Sequence, residues 1–187
     1  MTVNQLIEDL PLLNPGDQIR WSEYRTPLSK ELDIDTHPRN GPLFVTLNYT
    51  RWHNERDLNI YRRAIELWVH KGERLHYDDL PEELKTHKNR KAFADRYKVV
   101  DGEGKSHTVV AHIAKDGHYF IKPDLDQVRS LSCREVARIQ SFPDDYFFEG
   151  SMGSIFRQIG NAVPPLMAQR IADGIRIRLN QDTIEIP

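Results

Sequence analysis

The sequence contains very little cysteine and no long apolar run. Its single cysteine, Cys133, excludes a disulfide within the chain. No apolar segment reaches the length of about 20 residues that a membrane-spanning helix requires, and no charged-then-apolar leader follows Met1. We therefore predict a cytoplasmic protein that has no membrane partner.

The sequence also lacks metal ligands at a suitable spacing and a large net charge. The eight histidines form no pair, with each other or with cysteine, at the spacing of a zinc site, so we predict no metal. The net charge is only −2, which argues against a protein that coats nucleic acid by bulk electrostatics. With 187 residues, of which 39% are hydrophobic, the chain can form one or two small domains with a core.

One segment is nevertheless strongly basic. Between Lys85 and Lys98 the chain has six Lys or Arg residues and one acid, with Phe93 and Tyr97 interleaved. Such a strip can face the phosphates of DNA, or it can be the solvated face of a helix. Charge alone favours the solvated face.

The distribution of proline and glycine divides the chain into three regions. Residues 1–42 contain five prolines and two glycines, which predicts an extended or irregular arm with at most a short helix near Val3–Leu10. Residues 43–150 carry most of the periodic segments. Residues 151–187 end in one more apolar-periodic segment. We expect separate structural roles for these regions.

Helix and strand signals are clearest in the second region. Leu43–Leu47 predicts a short strand, and the apolar spacing from Arg56 to His70 predicts a helix that stops at Gly72. The acids and proline after Asp79 predict a further helix starting there. Two β-rich runs within residues 108–122, joined through Asp116-Gly117, predict a hairpin.

The last part of the chain is predicted to be helical. Ser132 and Glu135 form a capping box that opens one helix, which Pro143 ends. Pro165 suits the first position of a final helix, whose apolar residues Met167, Ile171 and Ile175 recur every four. Gly174 lies inside that helix, which is tolerable if a neighbouring backbone approaches closely there.

Two sequence blocks near the carboxyl end resemble a known family. Residues 131–143 read LSCREVARIQSFP and residues 157–165 read RQIGNAVPP. In this order and with this gap they resemble the last two signature blocks of the DNA cytosine-5 methyltransferases. We call them the ninth block (131–143) and the tenth block (157–165). The resemblance begins near Ser106 and covers residues 106–179.

The earlier signature blocks of that family have no counterpart in the sequence. It contains no Pro-Cys-Gln nucleophile loop, no Glu-Asn-Val block and no Gly-rich strand-turn for S-adenosylmethionine. The chain therefore resembles the carboxy-terminal part of such an enzyme. Residues 43–105 occupy the place of the target-recognition region, which varies widely between members.

The resemblance implies an α+β fold in two parts. Residues 43–150 would form a small target-recognition domain with helices, the hairpin and the ninth-block helix. Residues 151–187 would supply the tenth-block turn and a helix of an incomplete Rossmann-like methyltransferase domain, with residues 1–42 as an amino-terminal arm. Double-stranded DNA and an amino-terminal catalytic portion would be the partners.

The resemblance also implies roles for individual residues. In the ninth block, mainly organising roles fall to Arg134, Glu135, Arg138 and Gln140. Asn161, with Val163 close by, would line the pocket for the cofactor S-adenosylmethionine. An asparagine amide both donates and accepts hydrogen bonds, which suits a ligand with an ammonium and a carboxylate. The alternative is that Asn161 only fastens the turn between Gly160 and Pro165.

No catalytic residue is predicted in this chain. In the family, a thiolate on a Pro-Cys loop attacks the flipped cytosine. Cys133 follows Ser132 at a helix start instead, so we predict a packing role for it. DNA contact should come from the middle region, where the phosphate candidates are Lys85, Lys88, Arg90 and Lys91. Weaker candidates for phosphate or base contact are Arg51, Asn54, Lys115 and His118.

Three hypotheses follow from these observations. The first is the target-recognition and carboxy-terminal portion of a DNA cytosine-5 methyltransferase, inactive alone because the nucleophile and main cofactor blocks are absent. The second is a stand-alone DNA-binding module without catalysis. The third is a structural remnant that associates through its final helix, whose apolar face has no partner predicted within the chain.

Overall fold

A computed structural model of the protein describes residues 1–27, 39, 43–86 and 95–182. Five α-helices and two β-strands occur in this part of the chain, with three short 3-10 turns between them. In chain order the elements are α1 Val3–Ile7, β1 Gln18–Glu23, β2 Phe44–Tyr49, α2 Glu55–Lys71, the 3-10 turns Tyr77–Asp79, Glu82–Leu84 and Ala111–Ala114, α3 Cys133–Ile139, α4 Met152–Asn161 and α5 Pro165–Asp182.

The two strands form an antiparallel pair. Gln18 lies opposite Tyr49, and Glu23 lies opposite Phe44. The strand near Leu43–Leu47 was predicted, but its partner β1 was not, because only Ile19 and Trp21 alternate with polar residues there, within a region rich in proline and glycine. The first region also contains the predicted short helix, α1. Whether the three regions act as separate domains remains a prediction.

Helix α2 ends at the predicted Gly72 and has a side-chain cap at its start that was not predicted. The Asn54 side chain accepts a hydrogen bond from the Asp57 backbone N–H at the start, and Gly72 ends the helix with φ 68°. Glycine adopts this left-handed conformation without a steric penalty. The buried face of α2 carries Ile60, Tyr61, Ala64 and Ile65.

The predicted helix from Asp79 is wrong for the described residues up to 86. Two 3-10 turns, Tyr77–Asp79 and Glu82–Leu84, take its place, and Leu80 between them is extended (φ −71°, ψ 147°). A residue before proline is disfavoured in the α region because it clashes with the proline ring. Pro81 therefore interrupts the helix that the acids around it would favour.

The predicted hairpin within residues 108–122 is also wrong. Ala111–Ala114 is a 3-10 turn, and its buried Ile113 packs in the core. Ile121 instead bridges Val99 in parallel and Ser130 in antiparallel orientation. Only the turn was predicted correctly, since Gly117 has φ 78°. Apolar alternation over so few residues did not distinguish a strand from a 3-10 turn that buries one side chain.

Two hydrophobic clusters hold these elements. The larger one joins α1, β2, α3 and α4, and the smaller one packs α2 against the segments around Tyr77, Tyr97 and Ile121. Helix α5 contributes to neither cluster. From Met167 to Asn180 its residues are exposed, except for the half-buried Asp173. A Cβ on Gly174 would have no neighbour within 4 Å, so the close backbone approach expected there is absent from the described part of the chain.

Candidate site at the junction of the ninth and tenth blocks

Helix α3 forms the centre of the site. Ser132 and Glu135 make the predicted capping box, and residues 133–138 are all buried. Cys133 is fully buried in the larger hydrophobic cluster. Burial raises the pKa of its thiol to about 12, so the thiol stays protonated at neutral pH. The structure therefore places Cys133 in the core, as predicted.

Arg138 binds two buried carboxylates. Its guanidinium donates to both oxygens of Asp144 at 3.0 and 2.6 Å, and it also pairs with Asp9. Tyr24 donates its hydroxyl to Asp144 at 2.8 Å. Burial opposes ionisation of Asp144, but the hydrogen bonds and charge of Arg138 hold the pKa of that carboxyl below its usual range. Residues 1–27 are thereby attached to α3.

Glu135 forms a second buried ion cluster. Its carboxylate accepts from Arg129 at 2.7 and 2.8 Å and from Lys122 at 2.9 Å. Burial alone would raise the pKa of Glu135, but these two cations hold it well below its usual range. Arg129 in turn donates to the backbone oxygen of Leu13 at 3.1 Å. The charged residues of α3 are thus structural, because their partners lie inside the protein.

Arg134 ties α3 to the sheet and to the following loop. It donates to the backbone oxygen of Thr46 at 3.1 Å and to the Thr46 hydroxyl at 2.9 Å. It also donates to the backbone oxygens of Pro143 and Tyr146. The organising roles that the resemblance implied for the ninth block therefore correspond to observed contacts.

The end of α3 fixes the tenth block. Gln140 donates its side-chain amide to the backbone oxygen of Ile159 at 3.0 Å and lies 3.5 Å from that of Ala162. The Ser141 hydroxyl accepts from the backbone N–H of Leu166 at 3.1 Å, at the start of α5. The first N–H groups of a helix have no partner within it, so Ser141 satisfies one of them. The two blocks meet at one junction.

Helix α4, which the sequence did not predict, carries Gly160 and Asn161 in its last turn. A Cβ on Gly160 would lie 2.7 Å from the backbone of Val110 and Ala111. Glycine is needed because the helix backbone packs directly against that turn. The Gly-Asn pair therefore belongs to a helix end, where the sequence had suggested a turn.

Asn161 and Val163 point outward from this junction. Asn161 is exposed, and its side chain makes no hydrogen bond to the described residues, so no contact in that part of the chain supports the turn-fastening alternative. Val163 is 60% exposed. An open cleft nearby is lined by Gln140, Pro164, residues near the amino terminus and residues 104–109, but not by Asn161 or Val163.

The predicted DNA contacts occupy different environments. Lys88, Arg90 and Lys91 lie outside the described residues. The Lys85 ammonium pairs with Glu82 at 3.0 Å, and Lys115 is exposed. Hence Lys115 is the one described candidate whose side chain is largely open to solvent.

The remaining three candidates have partners inside the protein. Asn54 caps α2, and His118 Nδ1 lies 2.7 Å from the Tyr61 hydroxyl. Arg51 donates to the backbone oxygen of Ile113, and its guanidinium carbon lies 4.4 Å from the ring centroid of Phe156. The contacts of Arg51 and His118 were not visible in the sequence, because their partners are 57 to 105 positions away. The Asn54 cap is local.

Neither a metal site nor a membrane segment is found in the described part of the chain. Over residues 1–27, 39, 43–86 and 95–182, no three His, Cys, Asp or Glu side chains are grouped so as to hold a metal ion. None of the described helices has both the length and the apolar composition needed to cross a bilayer.

Comparison with known proteins identifies the family. The sequence profile described as C-5 cytosine-specific DNA methylase matches residues 14–176. The chain belongs to the C-5 cytosine-specific DNA methylases. The match includes the whole junction between the ninth and tenth blocks. Membership confirms the resemblance that these two blocks predicted.

Individual relatives show that the chain matches part of longer proteins. The type II methyltransferase M.Bpa9945I of Bacillus paralicheniformis is 46% identical over 184 residues, which are 96% of this chain but 41% of that protein. The type II methyltransferase M.AgeI of Thalassovita gelatinovora is 49% identical over 88 residues, which are 47% of this chain and 20% of that protein. The chain thus spans about two fifths of the first relative.

A solved structure shares the fold. It is described as a DNA modification methyltransferase encoded within a prophage (E. coli), and it has a TM-score of 0.55 at 20% sequence identity. The match covers 96% of this chain and 47% of that one. The mixture of helices and a two-stranded antiparallel sheet is therefore an arrangement found within methyltransferase structures.

Proposed function

We propose that this chain is the target-recognition and carboxy-terminal portion of a DNA cytosine-5 methyltransferase, and that it is inactive without an amino-terminal catalytic portion. Residues 43–150 act as the target-recognition domain, and residues 151–187 complete a Rossmann-like catalytic domain. The observation that carries the proposal is the exposed apolar face of α5, together with the family membership. Because the substrate is DNA, the site of action is the cytoplasm.

The α5 face has the character of an interface. Met167, Ile171 and Ile175 are 56%, 50% and 56% exposed on one side of the helix. Contiguous exposed apolar surface of this kind marks a binding surface more often than a free one. We assign it to the catalytic portion, since the chain covers only 41% of its Bacillus relative. The isolated chain should accordingly self-associate, or its α5 amides should exchange rapidly.

The junction supplies one wall of a cofactor pocket in this proposal. S-adenosylmethionine supplies the methyl group when it is bound. The exposed amide of Asn161 can both donate to and accept from its polar groups, and Val163 offers apolar contact. Gln140 and Gly160 hold the two residues in place. The rest of the pocket belongs to the catalytic portion.

DNA contact falls to the middle region. Lys85, Lys88, Arg90 and Lys91 are proposed to face phosphates, which position a protein on the duplex without reading its sequence. Lys115, which is exposed on the loop between the 3-10 turn at Ala111–Ala114 and Gly117, is proposed as a further contact. Asn54 and His118 contribute mainly by shaping the surface, because their side chains are engaged inside the protein.

Reconstitution tests the proposal. The chain is mixed with a polypeptide made of the part of the Bacillus relative that it does not match, and transfer of labelled methyl from S-adenosylmethionine to duplex cytosine is measured. We expect transfer only in the mixture. Transfer by the chain alone would overturn the proposal, and DNA binding without transfer in any mixture would favour the stand-alone binding module.

A triple variant controls for the interface. In Met167→Ser, Ile171→Ser and Ile175→Ser combined, the buried cores are untouched, so the fold of the chain should persist. Association with the catalytic portion, measured by sedimentation, should be lost together with transfer. Transfer at the original rate by this variant would show that α5 does not contact the catalytic portion.

A further inference from the structure

Arg51 lies between β2 and α2, yet its contacts are with other parts of the chain. Its guanidinium donates to the backbone oxygen of Ile113 and lies 3.5 Å from that of Lys115. The same group stacks over the Phe156 ring of α4 at 4.4 Å. Burial lowers the pKa of Arg51, but arginine stays charged at neutral pH. One cation thus joins three segments.

The segment it holds is residues 112–118, which we call the Lys115 loop. Gly117 in this loop is packed so closely that an added Cβ would lie 2.9 Å from Ser130 and 3.1 Å from Arg51 Nε. His53 Nε2, two residues after Arg51, lies 3.0 Å from the same Ser130 hydroxyl. Residues of the β2–α2 connection therefore hold the loop in place through these contacts, while Lys115 remains exposed.

The same contacts reach the tenth block through α4. Phe156, under the Arg51 guanidinium, is fully buried in α4. One turn further along this helix, Gly160 packs against the backbone of Val110 at the other end of the 3-10 turn. Asn161 follows directly. Arg51 and Gly160 together hold the Lys115 loop to the helix that carries the proposed cofactor residue.

We propose that Arg51 is a positioning residue, which holds the DNA-facing Lys115 loop against α4 and so fixes its placement relative to Asn161. It acts on DNA through the loop and does not touch the phosphates. This inference rests on the proposed function for its biological meaning. The mechanical part concerns only contacts within the chain, so it can be tested without DNA.

Amide hydrogen exchange of the isolated chain tests the mechanical part. Arg51→Lys keeps the charge but loses the planar fork that reaches two carbonyls and stacks on a ring. Exchange of the Lys115 and Phe120 amides, both hydrogen-bonded in or beside the loop, should rise at least about tenfold. Amides in the middle of α2 should keep their rates. Unchanged loop exchange, or an equal rise in α2, would overturn the inference.

The salt dependence of DNA binding tests the indirect role. A lost phosphate contact lowers the slope of log affinity against log salt by about 0.9. We expect Arg51→Gln to weaken binding without changing this slope, and Lys115→Gln to lower it. A lowered slope for Arg51→Gln would show direct phosphate contact. If neither the unchanged chain nor its mixture with the catalytic portion binds DNA, the proposed function fails, while the exchange experiment still decides how Arg51 holds the loop.

Discussion

Helices α3 and α5 have opposite surroundings within one chain. In α3, which has seven residues, the first six are buried, and each of its charged side chains has a partner nearby. In α5, which has 18 residues, the apolar side chains Met167, Ile171 and Ile175 are at least half exposed. The short helix is covered by other segments of the same chain. The long one carries apolar side chains that no described residue covers.

The contrast shows that residue type alone does not decide whether a side chain is buried or exposed. Three arginines, Arg129, Arg134 and Arg138, are buried because carboxylates and backbone oxygens surround them. Isoleucines of α5 are exposed although isoleucine is among the most often buried residue types. Composition alone would have assigned both the other way. Whether a side chain is buried depends on whether groups that can contact it lie nearby in the chain.

Removing an arginine from each helix should give the largest difference. Arg138→Met leaves Asp9 and Asp144 buried without their cation, and breaking a buried pair in this way costs about 3–5 kcal/mol. Arg176→Met removes an exposed pair with Asp173, which is worth at most about 1 kcal/mol. Urea unfolding of both variants gives the two free energies. Equal losses would mean that the α3 pairs contribute no more than surface ones.

Two of the helical glycines, Gly160 and Gly174, provide the next comparison. Gly160→Ala would push a methyl group into the backbone of Val110 and Ala111, and overpacking of this kind costs roughly 1–3 kcal/mol. The methyl group added in Gly174→Ala would meet nothing within 4 Å. Alanine favours the helix over glycine by about 1 kcal/mol, so the helicity of α5 should increase. Urea unfolding measures the first change, and far-ultraviolet circular dichroism the second. A loss of helicity in Gly174→Ala would reveal an unseen neighbour of α5.

Local signals predicted the elements whose determinants lie close together in sequence. The capping box of Ser132 and Glu135 places the start of α3, and Gly72 places the end of α2, because each acts within one helical turn. Pro165 places the start of α5 for the same reason. The family resemblance likewise depended on two contiguous blocks.

Distant contacts explain what the sequence did not predict. Gly160 resembles a helix breaker until the backbone of Val110 is seen against it, so α4 was missed. Arg138 and its partner Asp9 are 129 positions apart, and nothing in either segment signals the pair. Strand β1 likewise depends on pairing with β2, because its own signal is only the alternation of Ile19 and Trp21 with polar neighbours. The parts of the site that were predicted least well are those that join separate segments.

Acidification should weaken the compact part of the molecule and leave α5 unchanged. Burial lowers the pKa of His53 and of His107 to about 4, and α5 contains no histidine. Because these folded-state values lie below the ordinary 6.5, the unfolded chain binds more protons between pH 6.5 and 4. Stability is thus full above pH 6.5 and falls through this window.

The expected loss between pH 7 and pH 5 is about 2 kcal/mol, since one pKa unit corresponds to about 1.4 kcal/mol and partial exposure reduces the effect. Urea unfolding at each pH measures it. The His53→Gln variant should show a shallower pH dependence than the unchanged chain. An equally steep dependence in that variant would locate the titrating groups elsewhere.

Cys133 allows the smallest effect to be predicted, and it tests whether α3 is purely structural. The side chain is fully buried beside Arg51 and Arg134, and burial raises the pKa of its thiol to about 12, which removes the thiolate that a nucleophile needs. Cys133→Ala should cost about 1 kcal/mol for the small cavity it leaves. Methyl transfer by the reconstituted enzyme should stay within a factor of about two once folding is matched, because the proposed nucleophile belongs to the catalytic portion. A collapse of turnover in a variant with an unchanged urea midpoint would place chemistry on α3. Helix α3 would then take part in the reaction and would not be purely structural.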